Sequence, residues 1–434
     1  DNTLPRKRLR MLEFFSGIGG MRAALDQALD VNRQRQQAAS SSSDNKDDEP
    51  TPPNFDYQLD EENSQAYEIN RDANQVYRRN FPSSRVTTKL VEQLTVQNVA
   101  HFDLWTLSPP CQPFTNTRFA KQHDLADPRT AGFVAILQLL EQLHPIAQPR
   151  FVFLENVQGF LGSQARGRLL ETLRRCHYTW KEYVVSPMEL GIPNHRKRYY
   201  ILCEASSSSD RFSSSDDDTN VHYQLDEDIA QAFGFGKVVV VPTTNNDNGN
   251  DNSMAPEYPP RTISEYLDDN SSDSNTEVDD FDSYGIDRDT LAKPWASDLP
   301  LVGPSDTHSH CFTAFYSRQI HKSTGSLLLL DESIPSVAAA LADNALDRSD
   351  MTKFVGKIRR FSPSELLRLF GFPPHFALVD DDDDGPLRLQ TQYKLIGNSI
   401  NVTVVSILLY ELIVLSNRPT TAATTNETAS NSND

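Results

Sequence analysis

Cysteine is scarce in this chain, with four residues at 111, 176, 203 and 311 and no CxxC pair among them. That pattern disfavours a zinc site or a disulfide framework and fits a reducing compartment. Long apolar runs are missing too; none reaches the ~18 residues of a membrane span, so no span is expected. No charged–apolar–small leader opens the chain, which begins at Asp1 rather than Met, and secretion is not expected. The expected location is the cytoplasm, with the nucleus also open. No metal is expected, and nothing in the sequence calls for more than a monomer.

Positive charge is also in short supply. The 434 residues carry a formal net charge of −19, which argues against a polyanion-binding protein if taken whole. The charge is not evenly spread. Residues 37–63, 205–228, 244–289 and 380–384 together hold −29, so the remainder is net +10. Those acidic stretches are rich in Ser, Asp and Asn and poor in apolar residues, and they read as solvated insertions rather than core. The polar end, 418–434, reads as a tail.

The remainder alternates between strand and helix. Short apolar runs at 10–15, 65–70, 102–107 and 151–154 read as strands, the last as a buried parallel strand. Helical patterns follow at 21–28, 73–80 and 130–142, with a late helix at 402–415. The alternation predicts an α/β fold, a doubly wound sheet. Ser362-Pro363-Ser364-Glu365 is a capping box with Pro at the first helical position, opening a helix that Gly371 stops. The expected organisation is a catalytic domain over 9–205 with an acidic insertion at 37–63, a low-complexity acidic insertion at 206–290, a small recognition region at 291–355, and a segment, 356–415, that completes the catalytic domain.

The chemistry concentrates at Ser108-Pro109-Pro110-Cys111-Gln112-Pro113-Phe114-Thr115. Three prolines fix φ around one thiol, and Pro113 holds Gln112 extended. A stiff loop that presents a single sulfur suits a nucleophile, provided its neighbours favour the thiolate. Gly17, Cys111 and Glu155 each fall at the end of an expected strand, where open α/β sheets place their ligands. The Gly17-Ile18-Gly19-Gly20 turn lets backbone approach a ligand and exposes helix N-terminal N–H groups. It lacks full GxGxxG spacing, which argues against a dinucleotide.

Taken in order, Phe14-Phe15-Ser16-Gly17-Ile18-Gly19-Gly20, the Pro-Pro-Cys-Gln loop, Glu155-Asn156-Val157, Asn194-His195-Arg196-Lys197-Arg198 and Gly397-Asn398-Ser399 resemble the cytosine-5 methyltransferase family over 9–205 and 308–415. Within it, Leu154–Phe160, Ser186-Pro187 with Leu190–Asn194, and Cys311-Phe312-Thr313 with Tyr316 resemble the small eukaryotic branch that acts on aspartate tRNA. The resemblance implies S-adenosylmethionine-dependent methylation of cytosine 38 in the anticodon loop, with a target-recognition domain beside the catalytic sheet.

The resemblance also implies roles. Cys111 would add to cytosine C6, making C5 enamine-like. Glu155 would serve N3 as an acid, Arg196 and Arg198 would hold O2 and favour the Cys111 thiolate, and Asn156 would orient the loop. Phe15, Ile18, Gly19 and Gly20 would cradle the cofactor, with Phe15 near the adenine. Glu68 would take the ribose hydroxyls in preference to Glu61 or Glu62, and Ile69, Val91, Glu92, Ser108, Asn398 and Ser399 would complete the cofactor site. Gln112, Asn156, Cys311, Phe312, Thr313 and Tyr316 would face the substrate, with Cys311 in a packing role. Ala314, Phe315 and Gln319 depart from the branch pattern. The aromatic and imidazole side chains of His308, His310, Phe312, Phe315 and Tyr316 suit stacking on unpaired bases. The sequence also admits a DNA cytosine-5 methyltransferase, with duplex DNA as its partner, and a catalytically silent nucleic-acid-binding module.

Overall fold

The computed structural model describes residues 6–41, 56–115, 124–206, 221–235, 259–268, 283–378 and 387–414. Its centre is an eight-stranded sheet. In chain order the strands are β2 (Met11–Phe14), β4 (Gln65–Tyr67), β5 (Arg85–Thr87), β6 (Leu104–Leu107), β7 (Phe151–Val157), β8 (Tyr178–Val185), β9 (Arg198–Ala205) and β10 (Val221–His222). The spatial order is β10–β8–β9–β7–β6–β2–β4–β5. Strands β5, β4, β2, β6 and β7 run parallel, and β9 is antiparallel to both β7 and β8.

Each strand alternates between two cores, as the two-residue period of a strand requires. Phe151 and Phe153 face one core, and Val152 and Leu154 the other. The first core is closed by helices Gly20–Ser41 and Val402–Val414, and the second by helices Ala131–Leu143 and Gln164–Arg175. Helices therefore cover both faces of the sheet, the doubly wound α/β class the sequence predicts. Val402–Val414 is buried along its whole length. The stretch Leu389–Val414 is long and apolar enough to cross a membrane, but 89% of its most apolar window is buried inside the protein. Its apolar surface is spent on the core.

The recognition region is a small unit with its own core. Strands β11 (Leu301–Val302), β12 (Leu327–Leu329) and β13 (Ile358–Arg359) form a three-stranded sheet. Around it lie Ile286, Leu291, Met351 and Phe354. Its core thus reaches beyond 291–355 on both sides. The capping box at Ser362 forms as expected and opens helix Pro363–Leu369.

Several expectations are corrected. The 37–63 stretch is not wholly an insertion. The first helix runs on to Ser41, and β3 (Asp56–Leu59) pairs in parallel with β1 (Arg6–Leu9), burying Tyr57. Nor is 206–290 uniformly filler. Val221–His222 joins the sheet edge, helix Glu227–Ala232 buries Ile229 and Ala230, and Ile263 and Tyr266 are buried in the main core. These apolar residues are sparse enough that their polar neighbours dominate the composition. The 65–70 strand stops at Tyr67, and Leu389–Asn398 is a helix that the sequence pattern does not reveal. The acidic run 380–384 and the tail 418–434 lie outside the described residues.

Candidate active site

The catalytic loop follows β6. Cys111 precedes a short 3-10 turn, Gln112–Phe114, and the Cys111 carbonyl accepts from Phe114 N–H at 2.9 Å. Two contacts from the segment after β7 hold this turn. Phe160 meets the Phe114 ring edge-on at 5.0 Å. A Cβ on Gly159 would lie 2.0 Å from the Phe114 carbonyl oxygen, so only glycine lets the two backbones touch. Asn156, which is buried, donates from Nδ2 to the Pro109 carbonyl at 3.1 Å and accepts from Val157 N–H. Its amide holds the loop from below, the orienting role expected of it; it is not free to face a base, which corrects the expected substrate contact. Gln112 is exposed beside the thiol.

Glu155 lies inside β7, opposite Tyr200, rather than just past the strand's end. It is buried, accepts from Ser108 Oγ at 2.7 Å and faces Arg198 Nε at 3.5 Å. The Ser108 side chain is therefore turned to the acid. Arg198 also donates to the Lys197 carbonyl at 2.8 Å, and its Nη2 lies 3.8 Å from Cys311 Sγ.

Arg196 is not a surface charge. It is 3% exposed and donates to the carbonyls of Phe312 (2.9 Å), Gly397 (3.3 Å) and Ser399, with its guanidinium 4.9 Å from the centre of the Phe370 ring. It joins the strand end, the recognition region and the C-terminal segment. With its terminal nitrogens committed to backbone, its expected hold on a base oxygen is corrected to an assembly role. The thiol chemistry is corrected as well. Burial pushes the Cys111 thiol up, Glu155 pushes it further, and Arg198 and Arg196 pull it back only in part. The two arginines act more strongly on Cys311. Burial raises that thiol, but Arg196 and Arg198, by charge and hydrogen bonding, bring it below its ordinary value. Cys311 is thus an electrostatic partner of both guanidiniums rather than an apolar packing residue.

Phe312 and Tyr316 are 1% and 3% exposed, and their rings pack edge-on at 5.0 Å. Tyr316 Oη donates to the Ser326 carbonyl and accepts from Phe361 N–H. Neither ring is open to stack on a base; Phe315, 55% exposed, is the open ring of this segment. Thr313 is half-buried, and its N–H donates to the Thr324 carbonyl. Its backbone touches Gly397, where a Cβ would lie 2.2 Å from the Thr313 carbonyl carbon.

The second half of the site lies at the ends of β2, β4 and β5. Phe15 has φ +59°, a left-handed conformation costly for a bulky residue and typical of ligand sites. Gly17, at φ +55°, has open space where a side chain would be, and its N–H donates to Glu68 Oε2 at 3.0 Å. The Glu68 Oε1 accepts from Asn70 N–H, so this carboxylate is clamped at the turn. Glu61 is instead paired with Arg22 at 2.6 Å. Ile69 is 62% exposed beside Glu68, and Val91 is buried under the exposed Glu92. A Cβ on Gly132 would lie 3.1 Å from the Phe15 ring and 3.2 Å from Glu92 Oε1, which places these two side chains together. Ile18 is buried, and Gly19 and Gly20 pack against Phe81 and against Ser399 and Ile400. Asn398 is exposed at the end of its helix. A strained aromatic, an open glycine, a clamped acid and an exposed aliphatic side chain fit a flat, hydroxyl-bearing ligand such as an adenosyl group. Among the described residues no His, Cys, Asp and Glu cluster suits a metal.

The sequence offers no sign of Glu13. It lies on β2 just before the glycine turn, 2% exposed, and accepts from Tyr77 Oη. Burial pushes its carboxyl up to about 7, against the opposing pull of the Tyr77 hydrogen bond and Arg22. Its neighbours on α/β strands are apolar, and nothing in the local pattern marks an acid as buried.

The fold and site define a class: enzymes on a doubly wound sheet that set one cysteine nucleophile against an acid and a guanidinium, next to a nucleotide-shaped turn. The chain belongs to the C-5 cytosine-specific DNA methylase family, whose model matches residues 9–414. It is 29% identical over 425 residues to a Mus musculus protein named tRNA (cytosine(38)-C(5))-methyltransferase, covering 92% of each chain. It is 29% identical over 418 residues to a Dictyostelium discoideum protein named DNA (cytosine-5)-methyltransferase, covering 94% of this chain and 95% of that one. Its fold matches the crystal structure of the S. pombe Dnmt2 methyltransferase at a TM-score of 0.63 and 26% identity, covering 95% of this chain and 100% of the other. The family implies use of S-adenosylmethionine.

Proposed function

We propose that the chain methylates C5 of cytosine 38 in the anticodon loop of aspartate tRNA. The observation that carries this reading is the end-to-end similarity to a protein named for that reaction, over 92% of both chains. The small three-stranded recognition unit agrees with it, since an unpaired loop base needs little energy to leave its stack.

S-adenosylmethionine supplies an electrophilic methyl group, and Phe15, Gly17, Glu68, Ile69 and Glu92 would hold it. The chain's own residues do the rest. Cytosine C5 is a poor nucleophile, so the Cys111 thiolate adds to C6 and the ring's electrons move toward C5 and N3. Glu155, oriented by Ser108 and Arg198, faces N3 and relieves the charge building there. C5 takes the methyl group, a base then removes the C5 proton, and the electrons left behind expel the Cys111 sulfur. Exclusion of water by the buried β7 end strengthens each of these interactions.

A second reading, DNA cytosine-5 methylation, is favoured by the name of the Dictyostelium relative. One assay separates the two: transfer of labelled methyl to aspartate tRNA, other tRNA transcripts and duplex DNA at one salt concentration, since phosphate-driven binding shifts steeply with salt. Transfer to tRNA with at most trace transfer to duplex is expected. Robust duplex methylation with silent tRNA would overturn the tRNA reading and leave the Cys111 chemistry in place. Action in the cytoplasm, as a monomer, is part of the same proposal.

A further inference from the structure

Four imidazoles and an ammonium converge on the recognition face beside the site. His310 lies within electrostatic reach of His308, His195, Lys322 and His321. They come from three separate stretches of chain, and hydrogen bonds fix each stretch. His195 N–H donates to the Ser309 carbonyl at 2.9 Å, joining its segment to the one that carries His308 and His310. His310 N–H donates to Ser326 Oγ at 2.9 Å. His321 Nδ1 accepts from Ser323 N–H at 3.1 Å, which selects the tautomer with the proton on Nε2, pointing away from that turn. The cluster adjoins the catalytic machinery: His195 precedes Arg196, and His310 precedes Cys311.

The cluster is exposed and, among the described residues, is not ion-paired to an acid. His195, His308, His321 and Lys322 are exposed, and His310 is half-buried. The nearby carboxylate, Asp306, is turned into the protein, where it accepts from the N–H groups of Gly303, Val337 and Ala338 and from Ser336 Oγ. Among the described residues no carboxylate forms an ion pair with these imidazoles, and no cluster of metal-ligand geometry is found. In a chain of net charge −19, five bases gathered on one face without an ion-paired acid among the described residues suit an external anion.

We propose that His195, His308, His310, His321 and Lys322 form a phosphate-binding surface that seats the RNA backbone next to the target base, with exposed Phe315 as an adjoining stacking face. The surface rests on the RNA reading above. It differs from an ordinary lysine-rich patch in when it is charged. Burial, and then repulsion from His308, His195, Lys322 and His321, holds His310 below the usual imidazole range. A bound phosphate reverses that balance, so binding takes up protons, and affinity rises as pH falls.

The test is equilibrium binding of the aspartate tRNA anticodon stem–loop, by fluorescence anisotropy at fixed ionic strength, between about pH 8 and about pH 6, a span that brackets the ordinary imidazole pKa. Native protein is expected to gain about tenfold in affinity across that span, and a His308→Gln/His310→Gln variant about twofold. A His308→Lys/His310→Lys variant is expected to bind at least as tightly as native protein at about pH 8 with little further gain. Thermal melts of each variant check folding. Equal pH slopes in native and glutamine forms, or weakened binding by the lysine form, would overturn the surface. Methyl transfer to the same stem–loop separates the two proposals. A steep, histidine-dependent binding slope without transfer supports the surface and sinks the tRNA methylation reading; active transfer with flat binding sinks the surface alone.

Discussion

Arg198 sits between the acid and the second cysteine, its Nε 3.5 Å from Glu155 Oε1 and its Nη2 3.8 Å from Cys311 Sγ. The same guanidinium helps to lower the Cys311 thiol and also acts directly on the Cys111 thiol, pulling it down where Glu155 pushes it up. That coupling has a measurable sign. Glu155→Gln removes one of the influences that raise Cys111 and shifts its alkylation-versus-pH profile to lower pH; Arg198→Ala shifts it to higher pH. Both variants lose methyl transfer. Mass spectrometry of the Cys111 peptide reads the profile separately from Cys311, and shifts of the opposite signs would show the assignment of causes to be wrong.

Cys111→Ala should abolish turnover and leave S-adenosylmethionine affinity within about threefold, because the sulfur attacks the base and does not hold the cofactor. Isothermal titration with the cofactor, next to a labelled-methyl assay, checks both halves. Normal turnover by the alanine variant would end the covalent mechanism.

Gly159→Ala tests the loop from behind. A methyl group there meets the Phe114 carbonyl oxygen at 2.0 Å and must push the Cys111 turn out of place. The expected result is a fall in kcat of at least about tenfold with cofactor affinity unchanged, since a misplaced nucleophile loses its attack geometry. Unaltered kcat would mean that the loop yields without cost.

Arg196→Ala should destabilise the fold by about 3 kcal/mol or more, because three carbonyls lose their charged donor at once. Arg196→Lys should recover little, since one ammonium cannot span all three. Chemical denaturation gives the value. A melting curve like that of native protein would show that the three segments hold together by other means.

Glu13 makes stability depend on pH. Its folded pKa of about 7 stands above the ordinary value of 4.5, so the folded state binds more protons than the unfolded chain between those values. Its contribution is present below about 4.5 and is lost as pH rises through about 7. Glu13→Gln keeps an acceptor for Tyr77 and carries no charge. The variant should melt at a higher temperature than native protein at about pH 8 and show a smaller difference at about pH 5. A constant difference at the two values would remove Glu13 as the cause.

The parallel half of the sheet and the Cys111 loop are legible in the chain because each is written in contiguous residues. Phe151–Leu154 is apolar throughout, and the prolines flank Cys111 directly. What escaped is written across distance. Arg196 reads as part of a basic run, and only the fold brings it to Phe312, Gly397 and Ser399. Phe312 and Tyr316 read as open aromatics because a local pattern does not reveal that Phe361 and Tyr393 cover them. Ile229 and Tyr266 are diluted by acidic neighbours, so a composition average hides their burial. Ile229→Ala, which should cost about 2 kcal/mol of stability, is the direct measure of how far 221–235 belongs to the core.

Helix Val402–Val414 packs along helix Gly20–Ser41, and two of the three carbonyls that receive Arg196 belong to residues 397 and 399. The first and last described helices are thus one structural piece built from segments far apart in the chain. While the ribosome still holds the last segment, the sheet can form but the floor of the cofactor turn and the Arg196 junction cannot. A nascent chain stalled before residue 397 should therefore be inert toward both cofactor and nucleic acid, and catalytic competence should arrive abruptly once 397–414 can pack rather than accumulate along the way.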